Sequence, residues 1–184
     1  MKKKALFIAA AVAILAVSGA SAKSLVVYFS RTGENYAVGT ITEGNTAILA
    51  KMIAAKTGSD IFEIIPENDY PASYKECTDV AKAEQKQKAR PAYKGEVDTK
   101  GYDTIYIGYP IWWGDLPMAV YTFLEKHDLS GKTIVPFCTH EGSGLSGTDG
   151  KIKRLYKNAT VKQALAVRGA TAQNERAKAE KAVD

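Results

Sequence analysis

Three short segments hold most of the residues able to do chemistry. Ser30-Arg31-Thr32-Gly33, joined further on by Asn45-Thr46, offers hydroxyls, an amide and a glycine. Such groups hold a phosphate by donating O–H and N–H bonds to it. Tyr109-Pro110-Ile111-Trp112-Trp113-Gly114 carries the chain's two tryptophans side by side, and an indole face stacks on a flat ring. Thr139-His140-Glu141-Gly142-Ser143-Gly144 is rich in small residues with free backbone donors. Each segment directly follows a short apolar run. In an open parallel α/β sheet, ligands bind in the crevice beyond the carboxyl ends of the strands. Three such segments at one sheet edge suit a phosphate joined to a flat ring, which flavin mononucleotide (FMN) is.

The residues divide by role. Ser30 and Thr32 supply hydroxyl donors, and Gly33 lets the backbone come close. Asn45-Thr46 begins a helix, whose first N–H groups are free and carry a partial positive charge. If Glu34 to Gly44 loops out, Thr32-Gly33 meets Asn45-Thr46 in one nest. Pro110 and Gly114 shape the ring loop around Ile111. Because adjacent residues point apart, one of Trp112 and Trp113 faces the ring and the other packs. Backbone donors from Thr139 to Ser143 line the far edge of the ring, where they favour its reduced form and the charge of Glu141 opposes it. His140 invites proton transfer, since an ordinary imidazole titrates near 6.5. No carboxylate or nucleophile accompanies it, so a loop histidine bonded to backbone is the simpler reading. His127 sits near a helix C-terminus and receives no function. No catalytic acid, base or nucleophile is assigned.

The elements that must position these loops alternate along the chain. Ser24 to Phe29, Ile61 to Ile65, Thr104 to Tyr109, Thr133 to Cys138 and, more weakly, Gln163 to Val167 read as strands. Pro136 is awkward in a central strand. Between them, helices are expected from Asn45, as N-cap, to Thr57-Gly58, over Tyr74 to Lys88, from Pro117, over Ile152 to Leu155, and over Ala172 to Ala182. Glu34 to Gly44 has neither period and reads as a loop. Alternating strands and helices imply a parallel sheet with right-handed crossovers in a single domain, residues 23–184.

Ahead of that domain, residues 1–22 read as a secretory signal peptide. Lys2-Lys3-Lys4 is a basic start, Ala5 to Val17 an apolar run, and Ala20-Ser21-Ala22 a small-x-small cleavage site before Lys23. The apolar run is shorter than the roughly 20 residues a spanning helix needs. An exported protein, periplasmic or extracellular, with no stable membrane insertion after cleavage is the expectation. The formal charge of +5 includes the three leader lysines, so the remainder is only mildly basic. No basic stripe interleaved with aromatics is present, which argues against nucleic-acid binding. Cys77 and Cys138 could pair in an oxidising compartment, although a small buried thiol is the default for Cys138. Two cysteines and two histidines at unrelated spacings make no metal site.

On these segments the chain resembles the flavodoxins, in particular the branch with an insertion in the phosphate loop and a Pro-Ile-Trp-Trp-Gly motif. The similarity runs from Ser24 through Leu155. The family's contiguous Ser/Thr-x-Thr-Gly-Asn-Thr is matched by Ser30-Arg31-Thr32-Gly33 and Asn45-Thr46 across the inserted segment. The resemblance implies a flavodoxin-like three-layer α/β sandwich, a five-stranded parallel sheet of order 2-1-3-4-5, and non-covalent FMN. Ser30, Thr32, Gly33, Asn45 and Thr46 would hold its phosphate. Pro110, Ile111, Trp112, Trp113 and Gly114 would flank the ring, and Thr139, Glu141, Gly142 and Ser143 would close the other side. The leading expectation is a one-electron carrier, monomeric or weakly dimeric, serving a redox partner protein. An FMN-dependent NAD(P)H:quinone or azo-type reductase is the alternative, because one fold serves both roles. A non-redox binding module is the third reading. Export and a mildly basic surface set this chain apart from acidic cytoplasmic flavodoxins and their usual partners.

Overall fold

Helices cover both faces of a parallel sheet, and the strands are apolar throughout for that reason. The computed structural model describes residues 22–184. The proposed leader, all but its last residue, lies outside the described residues. β1 (Ser24–Tyr28) is buried from Leu25 onward. The chain then forms an antiparallel hairpin, β2 (Gly33–Asn35) and β3 (Gly39–Ile41), with register Gly33 to Ile41. This corrects the loop expected over Glu34 to Gly44. The turn bends through Ala37 at φ 66, and Glu34 N–H bonds the carbonyl of Ala72 at 2.9 Å. A contact so distant in sequence leaves no periodic signal.

α1 (Asn45–Thr57) follows, with Gly44 and not Asn45 in the N-cap position. It stops where expected, at left-handed Gly58, whose N–H returns to Ala54. β4 (Asp60–Glu63) re-enters the sheet. β5 (Ile65–Pro66) then peels away to pair with β6 (Tyr93–Lys94), on the far side of α2 (Tyr74–Gln87). β7 (Thr104–Pro110), α3 (Met118–Lys126), β8 (Thr133–His140) and α4 (Thr148–Leu155) complete the middle of the chain. β9 (Thr160–Val161) and β10 (Leu165–Arg168) share the fifth strand position. The single C-terminal helix expected over Ala172 to Ala182 is two, α5 (Gly169–Asn174) and α6 (Arg176–Val183), broken at Glu175, which has φ −129 and ψ 56.

The sheet order is β4-β1-β7-β8-β10, the 2-1-3-4-5 order of the flavodoxin-like fold, with β9 beside the start of β8. Alternation along β1 sends Leu25, Val27 and Phe29 toward Val120 and Phe123 of α3 and Ile152 of α4. Val26 and Tyr28 face Ile48 and Leu49 of α1, Ala172 of α5 and Ala179 of α6.

Pro136 fits this sheet because the fifth strand is split. Ile134 turns its carbonyl outward to Lys162 N–H at 2.8 Å, so Pro136, two residues on, faces the same way. Its missing N–H falls between β9, which ends opposite Ile134, and β10, which starts opposite Phe137. No ladder bond to β7 is lost.

Candidate ligand cleft at the carboxyl edge of the sheet

The carboxyl ends of β1, β7 and β8 open into a cleft of about 240 Å³. Arg31 and Asn45 line one end, Pro110, Ile111, Trp112 and Trp113 one side, and Thr139, His140 and Glu141 the base. The remaining wall comes from residues with no assigned role in the sequence reading: Asn35 and Tyr36 of the hairpin, and Tyr74, Cys77, Thr78 and Ala81 of α2. Cys77 and Ala81 are the buried residues of an otherwise charged helix. That four-residue spacing marked an inward stripe, but not what it faced. Ser30, Thr32, Gly33, Thr46, Gly114, Gly142 and Ser143 do not line the cavity and belong to the segments around it.

At the Asn45 end, backbone segments meet closely. A Cβ on Gly44 would stand 2.1 Å from Ser30 Oγ and 2.6 Å from the Arg31 carbonyl, so only glycine lets the chain return from the hairpin against Ser30. Ser30 Oγ accepts from Ala47 N–H at 3.0 Å. The two N–H groups before it, on Asn45 and Thr46, have no acceptor among the described residues. No acidic residue sits in that first turn to neutralise them. Gln173 of α5 donates to Asn45 Oδ1 at 2.9 Å and to the Glu43 carbonyl at 2.7 Å, leaving the Asn45 amide N–H groups free. Thr46 is buried, and its hydroxyl meets that of Thr139 at 2.7 Å. Thr32 is exposed on the loop just ahead of the hairpin.

The two tryptophans take different parts. Trp112 packs edge-on against Phe29, at 5.2 Å between ring centroids, and Tyr70, at 4.9 Å. Trp113 is 52% exposed. Trp112 and Asp115 exchange both backbone bonds, at 2.9 and 3.0 Å, around Trp113 at φ 50 and Gly114 at φ 69. That is a type I′ turn, whose first position normally takes Asn, Asp or Gly. Trp113 is held there from α2: its Nε1 donates to the Thr78 carbonyl at 2.9 Å, and Lys82 Nζ lies 4.7 Å over the ring. Asp115 anchors the far end, accepting from Tyr121 Oη at 2.8 Å and pairing with Lys151 at 2.6 Å.

At the base, His140 Nδ1 accepts from Gly142 N–H at 2.9 Å, so the neutral ring carries its proton on Nε2. Burial and nearby Arg168 hold this imidazole below its ordinary pKa. Glu141 accepts from Ala170 N–H at 2.8 Å, at the start of α5. Cys77 on α2 and Cys138 on β8 are free thiols. Burial raises both, Cys138 to about 12. Among the described residues there is no His/Cys/Asp/Glu group able to hold a metal ion.

The chemistry of the cleft lining suits a phosphate joined to a flat ring. Unsatisfied N–H groups and a free amide stand at one end, and aromatic faces and small side chains flank the rest. Among solved structures, the chain is similar to a candidate flavoprotein from Bacteroides eggerthii, with 30% identity over 89% of this chain and 99% of that one, at a TM-score of 0.64. Another from Bacteroides uniformis shares 30% identity over 88% and 97%, at 0.67. A flavoprotein from Lactobacillus acidophilus, solved in complex with FMN, has the same fold at 22% identity, covering 84% and 98%, at 0.63. No curated protein matches the sequence. The family model described as Flavodoxin matches residues 23–181, which takes in the sheet, both walls of the cleft and the bracing α5, and the chain therefore belongs to the flavodoxin family.

Proposed function

We propose that the cleft binds FMN non-covalently and that the protein carries electrons through it. One observation bears most of the weight: the donor-rich start of α1 and the tryptophan turn open onto the same cleft. The Asn45 and Thr46 N–H groups and the Asn45 amide would hold the phosphate, with Ser30, Thr32 and Gly33 on the adjoining loop and Gly44 letting that loop pack against the start of α1. Pro110, Ile111, Trp112, Trp113 and Gly114 flank the ring, and Trp113 is the one with an exposed face. Thr139, His140, Glu141, Gly142 and Ser143 close the other side, with His140 a neutral Nε2–H donor. Bound FMN supplies reversible electron-transfer chemistry at its ring. The chain's own residues bind, orient and tune, and none acts as a catalytic acid or base. The FMN complex of the Lactobacillus acidophilus protein, which shares the fold, supports this reading. The basic leader supports export, with a redox partner protein outside the cytoplasm.

The test is FMN addition to protein beginning at Lys23, followed by stepwise reduction under argon with absorption and electron paramagnetic resonance. Retained flavin and an unpaired electron midway through reduction support the one-electron carrier. Two-electron reduction with no radical signal, together with rapid bleaching by NADPH alone, assigns a reductase. Protein that keeps no flavin overturns the binding itself.

A further inference from the structure

Arg31 lies inside the phosphate-loop motif, yet its guanidinium bonds the hairpin and the segment before α2 and no group of α1. Nη2 donates to the carbonyls of Pro71 at 2.7 Å, Ala72 at 2.8 Å and Ser73 at 3.2 Å, and Nη1 donates to the carbonyl of Glu34. The remaining nitrogen, Nε, is buried without a partner among the described residues. Turning to an anion would take the guanidinium from all four carbonyls, of which Ala72 and Ser73 would keep a backbone donor, Glu34 N–H at 2.9 Å and Cys77 N–H at 3.0 Å.

The four carbonyls belong to two pieces of chain. One is the hairpin and the other is the segment leading into α2. They touch at several points around Arg31. Glu34 N–H bonds the Ala72 carbonyl at 2.9 Å. Glu34 Oε2 accepts from Tyr74 N–H at 2.9 Å, capping α2 where the N-cap residue Ser73 makes no side-chain bond. Beyond this junction, the rings of Tyr36 and Tyr74 stand 6.1 Å apart, and both line the cleft.

We infer that Arg31 is a positioning residue: its fork joins the hairpin to the start of α2 and so assembles the cleft's outer aromatic wall, instead of binding the phosphate. In its flavin-binding consequence this rests on the FMN reading above. A planar guanidinium can serve several fixed acceptors at once, and a lysine ammonium cannot reproduce the fork.

The test uses R31K and R31M with two ligands and one ligand-free measurement. Both variants are expected to weaken FMN and riboflavin by the same factor, about fivefold or more, because the wall contacts the ring common to both. In flavin-free protein, amides of Gly33–Ile41 are expected to exchange hydrogen about tenfold faster or more. An R31M variant that loses FMN affinity alone, an R31K variant that keeps it, and unchanged exchange in both would make Arg31 an anion ligand and overturn the inference. If the unsubstituted protein binds neither flavin, the FMN reading fails by itself. Exchange then decides for Arg31, and unchanged rates in both variants overturn the strut.

Discussion

Thr46 and Thr139 join hydroxyl to hydroxyl at 2.7 Å inside the protein, 93 residues apart in sequence. The bond ties the first turn of α1 to the carboxyl end of β8, so one end of the cleft is fixed to its base. Thr139→Val should destabilise flavin-free protein by about 1–3 kcal/mol in urea denaturation, because Thr46 is left with a buried unsatisfied hydroxyl. The T46V/T139V double variant should recover much of that loss, since replacing both partners by apolar groups of the same shape is nearly neutral. Additive losses in the cycle would show that the two hydroxyls do not depend on each other.

Gly44→Ala tests the close return of the chain onto Ser30. Its Cβ would meet Ser30 Oγ at 2.1 Å and the backbone of Arg31 at 2.6 and 2.9 Å. Backbone cannot swing aside as a side-chain tip can, so an overpacking loss of about 1–3 kcal/mol is expected, together with weaker FMN binding. Wild-type stability and affinity in this variant would mean that the cradle is not as tight as described.

Two substitutions separate the ends of the ligand. Thr32→Val should weaken FMN by about 1.5–3 kcal/mol while leaving riboflavin, which lacks the phosphate, nearly unchanged. Trp113→Asn keeps a residue suited to the type I′ turn and removes the aromatic face, so it should weaken both flavins by the same factor. Fluorescence titration reads both. Equal losses in the first variant, or a selective loss in the second, would reverse the assignment of phosphate and ring ends.

Both histidines of the chain are held below their ordinary pKa of 6.5. Burial is the main cause, with Lys126 adding to it at His127 and Arg168 at His140. Such a group stays neutral in the folded protein while the unfolded chain takes up a proton. Its destabilising effect is therefore absent well above pH 6.5 and grows as the pH falls from there to the folded midpoints, below which it is constant. Imidazole proton resonances should titrate with both midpoints under 6.5, and urea denaturation should give lower stability near pH 5.5 than near pH 7.5. A midpoint above 6.5 for either ring would contradict its burial.

The strands and three loops were legible because an apolar run closed by Ser, Pro or Thr is a local pattern. The walls were not. Gly33 to Ile41 forms a hairpin through Arg31, Glu34 and their partners near Ala72, contacts no window of sequence contains. Asn45 looked like the helix cap because its side chain could accept a bond. The cap position instead lies so close to Ser30 that only glycine fits, and Asn45 moves one place into the helix. Trp113 shows the same limit from the other side. Two adjacent tryptophans implied that one would pack and one would be available, but only the turn geometry and the hold of Thr78 show which.

The split fifth strand has an effect at the outside of the sheet. β9 and β10 form that edge, and they expose ladders of two and four residues with a break between them. An unbroken edge strand presents a row of unpaired donors and acceptors that can template a foreign chain. Here an incoming strand would find two short, interrupted stretches. The gap that accommodates Pro136 therefore also blunts this border of the protein against strand addition.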